Sequence, residues 1–71
     1  MAGYVNGNAA NLKASIASEQ GAVNMYAQYA RKARAAGDPS VAHVFLSIRG
    51  DEMGHHQTFT TELRELASRS R

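Results

Sequence analysis

The chain has 71 residues, with eight Lys and Arg, six Asp and Glu, and no cysteine. A chain of this length forms one small domain, and without cysteine it has no disulfide, thiolate metal site or iron–sulfur cluster. No apolar run is long enough to span a bilayer, the N-terminus lacks a signal-peptide core, and the composition lacks the marks of nucleic-acid binding. The sequence therefore predicts a cytoplasmic protein that binds neither membrane nor nucleic acid.

The first half of the chain predicts one long helix. Residues 1–7 show no apolar periodicity, and we expect them to form a flexible segment. From about residue 8 to about residue 36, one stripe of residues recurs in steps of three and four, the period of a helix with one buried face. The stripe of this helix A consists of Leu12, Ile16, Glu19, Val23, Tyr26, Ala30 and Ala33.

A turn and a second helix follow. Gly37 suits the C-terminal cap of helix A, Asp38 the N-terminal cap of the next helix, and Pro39 its first helical position. Helix B is predicted from about residue 39 to about residue 68, with the same period and with Leu63 beside its stripe. That stripe consists of Val41, Phe45, Ile48, Glu52, His55, Phe59, Glu62 and Leu66.

Together these elements predict an all-α fold, an antiparallel two-helix hairpin. Two helices share one seam and leave part of each apolar stripe in water, and chains this small rarely stabilise themselves without a metal, a disulfide or a partner. A homodimer of hairpins, which forms a four-helix bundle, covers both stripes. We therefore expect a homodimer, with a higher oligomer as the alternative.

Ionisable side chains stand on both stripes where apolar residues are expected. Glu19 lies 18 residues before Gly37, and Glu52 and His55 lie 15 and 18 residues after it. At about 1.5 Å per residue, all three lie in one layer roughly 22–27 Å from the turn. Glu52 and His55, three residues apart, are neighbours on one face. Bundled helices that offer Glu from one helix and Glu-x-x-His from another are typical of a di-iron carboxylate site.

The predicted dimer supplies four Glu and two His, and its four carboxylates balance two divalent ions. Oxygen-rich ligands with one imidazole per metal favour iron, with manganese as the alternative, over the usual tetrahedral zinc site. The competing interpretation is that these three residues are paired polar groups in the core that set the register of a dimer.

At these residues the chain resembles rubrerythrin-type ferritin-like proteins. The similarity covers roughly residues 11–66 and rests on three stretches: 16–19, 26–29, and 44–55, which contains Asp-Glu-Met-Gly-His. The full domain of that family holds two helix pairs, and this chain is similar to one pair. Half-length, self-assembling ferritin-like proteins are known, including ones housed in encapsulin shells.

The resemblance implies a role for each site residue. Glu19 would be a terminal metal ligand, Glu52 the bridging ligand and His55 the imidazole ligand. Tyr26 matches a family tyrosine that hydrogen-bonds a ligand carboxylate, and it lies two turns from Glu19 on the same stripe. Ordinary core packing is the alternative for Tyr26.

The chain also departs from the family pattern. Ala22 stands where rubrerythrins carry an additional carboxylate, which argues against a rubrerythrin-type peroxide switch. The rubredoxin-like domain is absent, so an electron donor would be external, and residues 67–71 show no encapsulin-targeting sequence.

The predicted function is oxidation of Fe(II) by O₂ or peroxide at two iron ions shared across the dimer. A redox-silent metal-binding or storage protein and a metal-free helical dimerisation module are the alternatives.

Overall fold

Two long helices lie side by side in the computed structural model, which describes residues 2–69. Helix α1 spans Ala2–Ala35 and helix α2 spans Pro39–Arg69. A helix of 34 residues is about 51 Å long, close to the longest dimension of the hairpin, which measures 54 × 14 × 11 Å. The helices therefore run antiparallel over nearly their whole length, and the predicted all-α hairpin is confirmed.

The turn between the helices is closed by a Schellman motif. The N–H of Asp38 donates to the carbonyl of Ala33 at 2.9 Å, and the N–H of Gly37 donates to the carbonyl of Arg34 at 3.0 Å. Gly37 has a φ of 78°, a left-handed conformation that glycine adopts without steric cost. Helix α2 starts at once, because the carbonyl of Asp38 accepts from the N–H of Ala42 at 3.1 Å.

The N-terminal boundary differs from the prediction. Helix α1 begins at Ala2, six residues before the expected start, so residues 2–7 belong to the helix and not to a separate segment. Extending an existing helix fixes one residue for each new backbone hydrogen bond, whereas starting one is costly. A segment without apolar periodicity can therefore continue a helix that its neighbours have formed.

The hydrophobic core of the hairpin is small. In the described part of the chain, the buried hydrophobic residues are Val23, Ala30, Ala42 and Leu66. Near the turn, Tyr26, Tyr29 and Phe45 form an aromatic cluster with ring centroids 5.4–6.2 Å apart. Several large apolar side chains stay more than a third exposed, namely Met25, Tyr29, Val41, Val44, Leu46 and Met53.

Helix α2 faces α1 with a slightly different stripe from the predicted one. Val41, His55 and Glu62 were expected in the seam, yet all three are exposed, while Ala42 is buried and Leu63 is half-buried. A straight helix with 3.6 residues per turn drifts about 20° per heptad from a strict seven-residue repeat. The contact line therefore moves to neighbouring residues, and His55 lies at the edge of the seam.

No helix within residues 2–69 is both long and apolar enough to cross a membrane.

Candidate metal centre

The structure brings together the three predicted ligands, one from α1 and two from α2. His55 Nδ1 lies 3.6 Å from Glu19 Oε2 and 3.8 Å from Glu52 Oε2. Each residue offers one ligand atom such that all three atoms lie within 4.8 Å of one another. The layer predicted from distances along the chain is thus present in the hairpin.

The three side chains differ in how much of their surface is exposed. The side chains of Glu19 and Glu52 are 19% and 22% exposed, whereas that of His55 is 60% exposed. Glu19 Oε2 is buried and has no hydrogen-bond donor among the described residues. Burying a carboxylate oxygen without a hydrogen-bond donor costs free energy, and a bound cation or a proton at this atom would offset that cost.

The two carboxyl groups also act on each other. Glu19 raises the pKa of Glu52, chiefly because a proton on Glu52 is held in a hydrogen bond with Glu19. Partial burial of Glu52 and the negative charge of Glu19 act in the same direction, and His55 opposes them. Two carboxylates that share a site resist simultaneous ionisation unless a positive charge lies between them.

The chemistry of this cluster fits a metal ion. Two ligands of one first-row ion, each at about 2.0–2.2 Å, lie no more than roughly 4.4 Å apart. The two distances from His55 meet this limit, and the two carboxylates offer oxygens within 4.8 Å of each other. Two carboxylates with one imidazole suit iron or manganese. One hairpin offers only three such ligands, fewer than a dinuclear centre with Glu and Glu-x-x-His from two helix pairs uses.

Tyr26 lies beside this layer, with a different partner from the expected one. Its half-buried ring stacks on Phe45 with centroids 6.2 Å apart and meets Tyr29 edge-on at the same separation. Within residues 7–69 its hydroxyl makes no hydrogen bond with Glu19 or Glu52. The ring of Tyr26 thus belongs to the aromatic cluster, and a hydrogen bond from its hydroxyl to a ligand carboxylate stays a prediction.

A second group of polar side chains was missed by the sequence reasoning. Arg49, Met53 and His56 follow one another on α2 in steps of four and three and line a cleft with Gln20 and Val23 of α1. The helical spacing of Arg49 and His56 was the available signal, but Arg49 lies off the apolar stripe. The cleft is on the other edge of α2 from His55.

Fold and site together define a class: helical-hairpin proteins with a carboxylate and imidazole cluster between the helices, of the kind that holds redox metals in helix bundles. The family model described as Rubrerythrin matches residues 10–71. The chain belongs to the rubrerythrin family, and the resemblance inferred from its residues is confirmed. Neither a curated protein nor a solved structure shows a significant match to it.

Proposed function

We propose that the protein is a di-iron carboxylate protein that oxidises Fe(II) with O₂ or peroxide at a site shared by two copies of the chain. The observation on which this rests is the cluster of Glu19, Glu52 and His55, in which Glu19 Oε2 is buried without a hydrogen-bond donor among the described residues. Family membership supports iron as the metal. Bound iron supplies the one-electron redox chemistry that side chains lack.

The exposed edge of the cluster supports sharing between two chains. His55 is mostly exposed, and Val44 lies on the same edge of α2 three turns earlier with 54% of its surface exposed. A second hairpin placed on this edge covers Val44 and adds its own Glu19, Glu52 and His55 to the layer. The dimer then has four carboxylates and two imidazoles for two iron ions, which offsets the charge.

Each ligand has a separate role in this arrangement. As the resemblance to rubrerythrins implies, Glu52 would be the bridging ligand and Glu19 the terminal carboxylate. His55 must be neutral and both glutamates ionised to bind metal, so metal binding releases protons. A second hairpin on the exposed His55 edge would limit the access of water to the site.

The test is anaerobic loading with Fe(II), followed by exposure to air, with iron analysis and a visible spectrum. We expect one iron per chain and a rapid change of the spectrum in air. In Glu52→Ala and in His55→Ala, iron binding should be lost. Glu65→Ala, which removes an exposed carboxylate from the same helix, is the matched control and should bind iron like the wild type.

The other outcomes separate the alternatives. Iron binding without oxidation would favour a storage protein, and no binding in the wild type would favour a metal-free dimerisation module. Normal binding in both Glu52→Ala and His55→Ala would remove these residues from the site.

A further inference from the structure

The cleft on the other edge of the hairpin has the chemistry of an anion site. It has a volume of about 250 Å³ and is lined by Gln20 and Val23 of α1 and by Arg49, Met53 and His56 of α2. Its lining contains a guanidinium, an imidazole and a carboxamide, and no carboxylate. Arg49 is the permanently charged side chain in this lining.

Arg49 is the group in this cleft that most requires a ligand. Its Nε is buried and has no hydrogen-bond partner among the described residues. No carboxylate of the described chain forms an ion pair with it, since the ion pairs present involve His55 and Arg69. An arginine stays charged at all accessible pH values, and a buried donor on a charged group without an acceptor is costly.

Two further donors lie beside Arg49. His56 is half-buried, and its ring carries at least one N–H whether it is neutral or charged. The Gln20 amide donates one hydrogen to Asn24 Oδ1 at 3.2 Å, which leaves its second N–H for a ligand. Val23 is 7% exposed and Met53 47%, so the cleft also has apolar walls, where charged hydrogen bonds are stronger than in water.

We propose that this cleft binds a small tetrahedral oxoanion such as inorganic phosphate. Arg49 supplies the charge and the N–H groups of its guanidinium, and His56 and Gln20 donate to the remaining oxygens. The planar guanidinium suits phosphate, because adjacent N–H groups match the spacing of its oxygens. The proposal requires no metal and no second chain, so it stands or falls independently of the proposed iron site.

Calorimetric titration of the metal-free protein with inorganic phosphate tests this site, at constant ionic strength with chloride as the background anion. We expect saturable binding of one phosphate per chain. Arg49→Gln should weaken binding about tenfold or more, the usual effect of losing a charged hydrogen bond. Arg64→Gln removes the same charge from an exposed position of α2 and should leave the affinity unchanged.

Arg49→Lys separates a built site from simple attraction between charges. Lysine keeps the charge but lacks the Nε–H, so binding should be several-fold weaker than in the wild type. Equal affinity in Arg49→Lys or in Arg49→Gln would overturn the proposal, as would the absence of saturable binding in the wild type. Circular dichroism checks that both variants fold.

One further measurement uses the wild-type protein and needs no substitution. In the wild-type protein labelled with ¹⁵N, the Nε–H resonance of Arg49 should shift as phosphate is added, while the corresponding resonance of Arg64 stays in place. An unchanged Arg49 resonance at saturating phosphate would exclude it from the site.

Discussion

At the scale of single residues, the protein is defined by two carboxylates that face each other across the helix seam. Glu19 and Glu52 are about four-fifths buried, and Glu19 Oε2 has no donor within the described chain. Their mutual effect raises the pKa of Glu52, which means that the native state disfavours its ionised form. In the absence of metal this arrangement opposes folding at neutral pH.

The pH dependence of the metal-free protein follows from this shift. Because the pKa of Glu52 is higher in the native than in the unfolded chain, its contribution to stability is fully present below the ordinary glutamate value of about 4.3 and is lost as pH rises through the native value. Glu52→Gln removes this loss. With a chelator present, we expect the melting temperature of Glu52→Gln, relative to that of the wild type, to be higher at pH 7 than at pH 4.

Glu65→Gln is the control for removing a carboxylate elsewhere on α2. The same difference in melting temperature between Glu52→Gln and the wild type at both pH values would contradict a raised pKa. The native state would then stabilise the protonated and the ionised form of Glu52 equally.

Glu19→Gln tests the opposite carboxylate. The substitution keeps the shape of the side chain and removes its charge, so the proposed dimer would offer two carboxylates fewer to two divalent ions. We expect unchanged helicity by circular dichroism and the loss of rapid Fe(II) oxidation by stopped-flow absorbance. Glu65→Gln, which changes an exposed carboxylate on α2 away from the His55 edge, should oxidise iron like the wild type. Wild-type kinetics in Glu19→Gln would make Glu19 a structural residue.

At the scale of the elements, the turn determines how the two helices meet. Gly37 holds a left-handed conformation, and its Schellman hydrogen bonds end α1 at Ala35, so that three residues separate it from α2. Equal distances from this turn along both helices bring Glu19 and His55 to the same height. A change in the turn therefore acts on both the fold and the candidate metal centre.

Gly37→Ala should destabilise the protein by about 1 kcal/mol, because a Cβ atom disfavours the left-handed region. A Cβ at this position would meet no atom within 4 Å, so the backbone strain is the whole cost. Gly50→Ala is the matched control: the same substitution inside α2, also with open space around it, should stabilise by about 1 kcal/mol. Urea unfolding at one protein concentration measures both. Equal effects of the two substitutions would contradict the role of the turn.

At the scale of the whole molecule, the hairpin has too little core for its size. Four hydrophobic residues of the described chain are buried, while Val41, Val44, Met25, Met53 and Tyr29 stay exposed. Small domains bury a low fraction of their surface and are marginally stable alone. Association through an apolar edge is the simplest compensation, and it is the basis of the proposed shared site.

Multi-angle light scattering over a concentration series tests the assembly. We expect the wild type at twice the chain mass of 7.7 kDa or more. Val44→Lys, on the same edge as His55, should reduce this to the mass of one chain. Val44 is exposed in the hairpin, so its replacement should not destabilise a monomer, whereas a lysine placed in the interface would have to be desolvated. Leu46→Lys, on the other edge of α2, should keep the assembly. A well-folded wild-type monomer at micromolar concentration would contradict the dimer.

The sequence by itself determined the helices, the turn and the layer that contains the candidate ligands. Apolar spacing predicted both helices, and Gly37, Asp38 and Pro39 predicted their junction within one residue at each inner end. Height along a hairpin depends only on the residue count from the turn and the fixed rise per residue. For this reason Glu19, Glu52 and His55 could be assigned to one layer without a structure.

Only the tertiary structure decided which side chains turn into the seam and which lie at its edges. A small error in the helical period accumulates along the helix into a large error in the angle at which a side chain points from the axis. The position of a residue along the axis is not affected in this way. The exposure of His55, the unpartnered oxygen of Glu19 and the buried Nε of Arg49 all depend on that direction and on the packing of α1 against α2. The cleft at Arg49 could not be assembled from the sequence, because its residues come from two helices and its polar members lie off the apolar stripes.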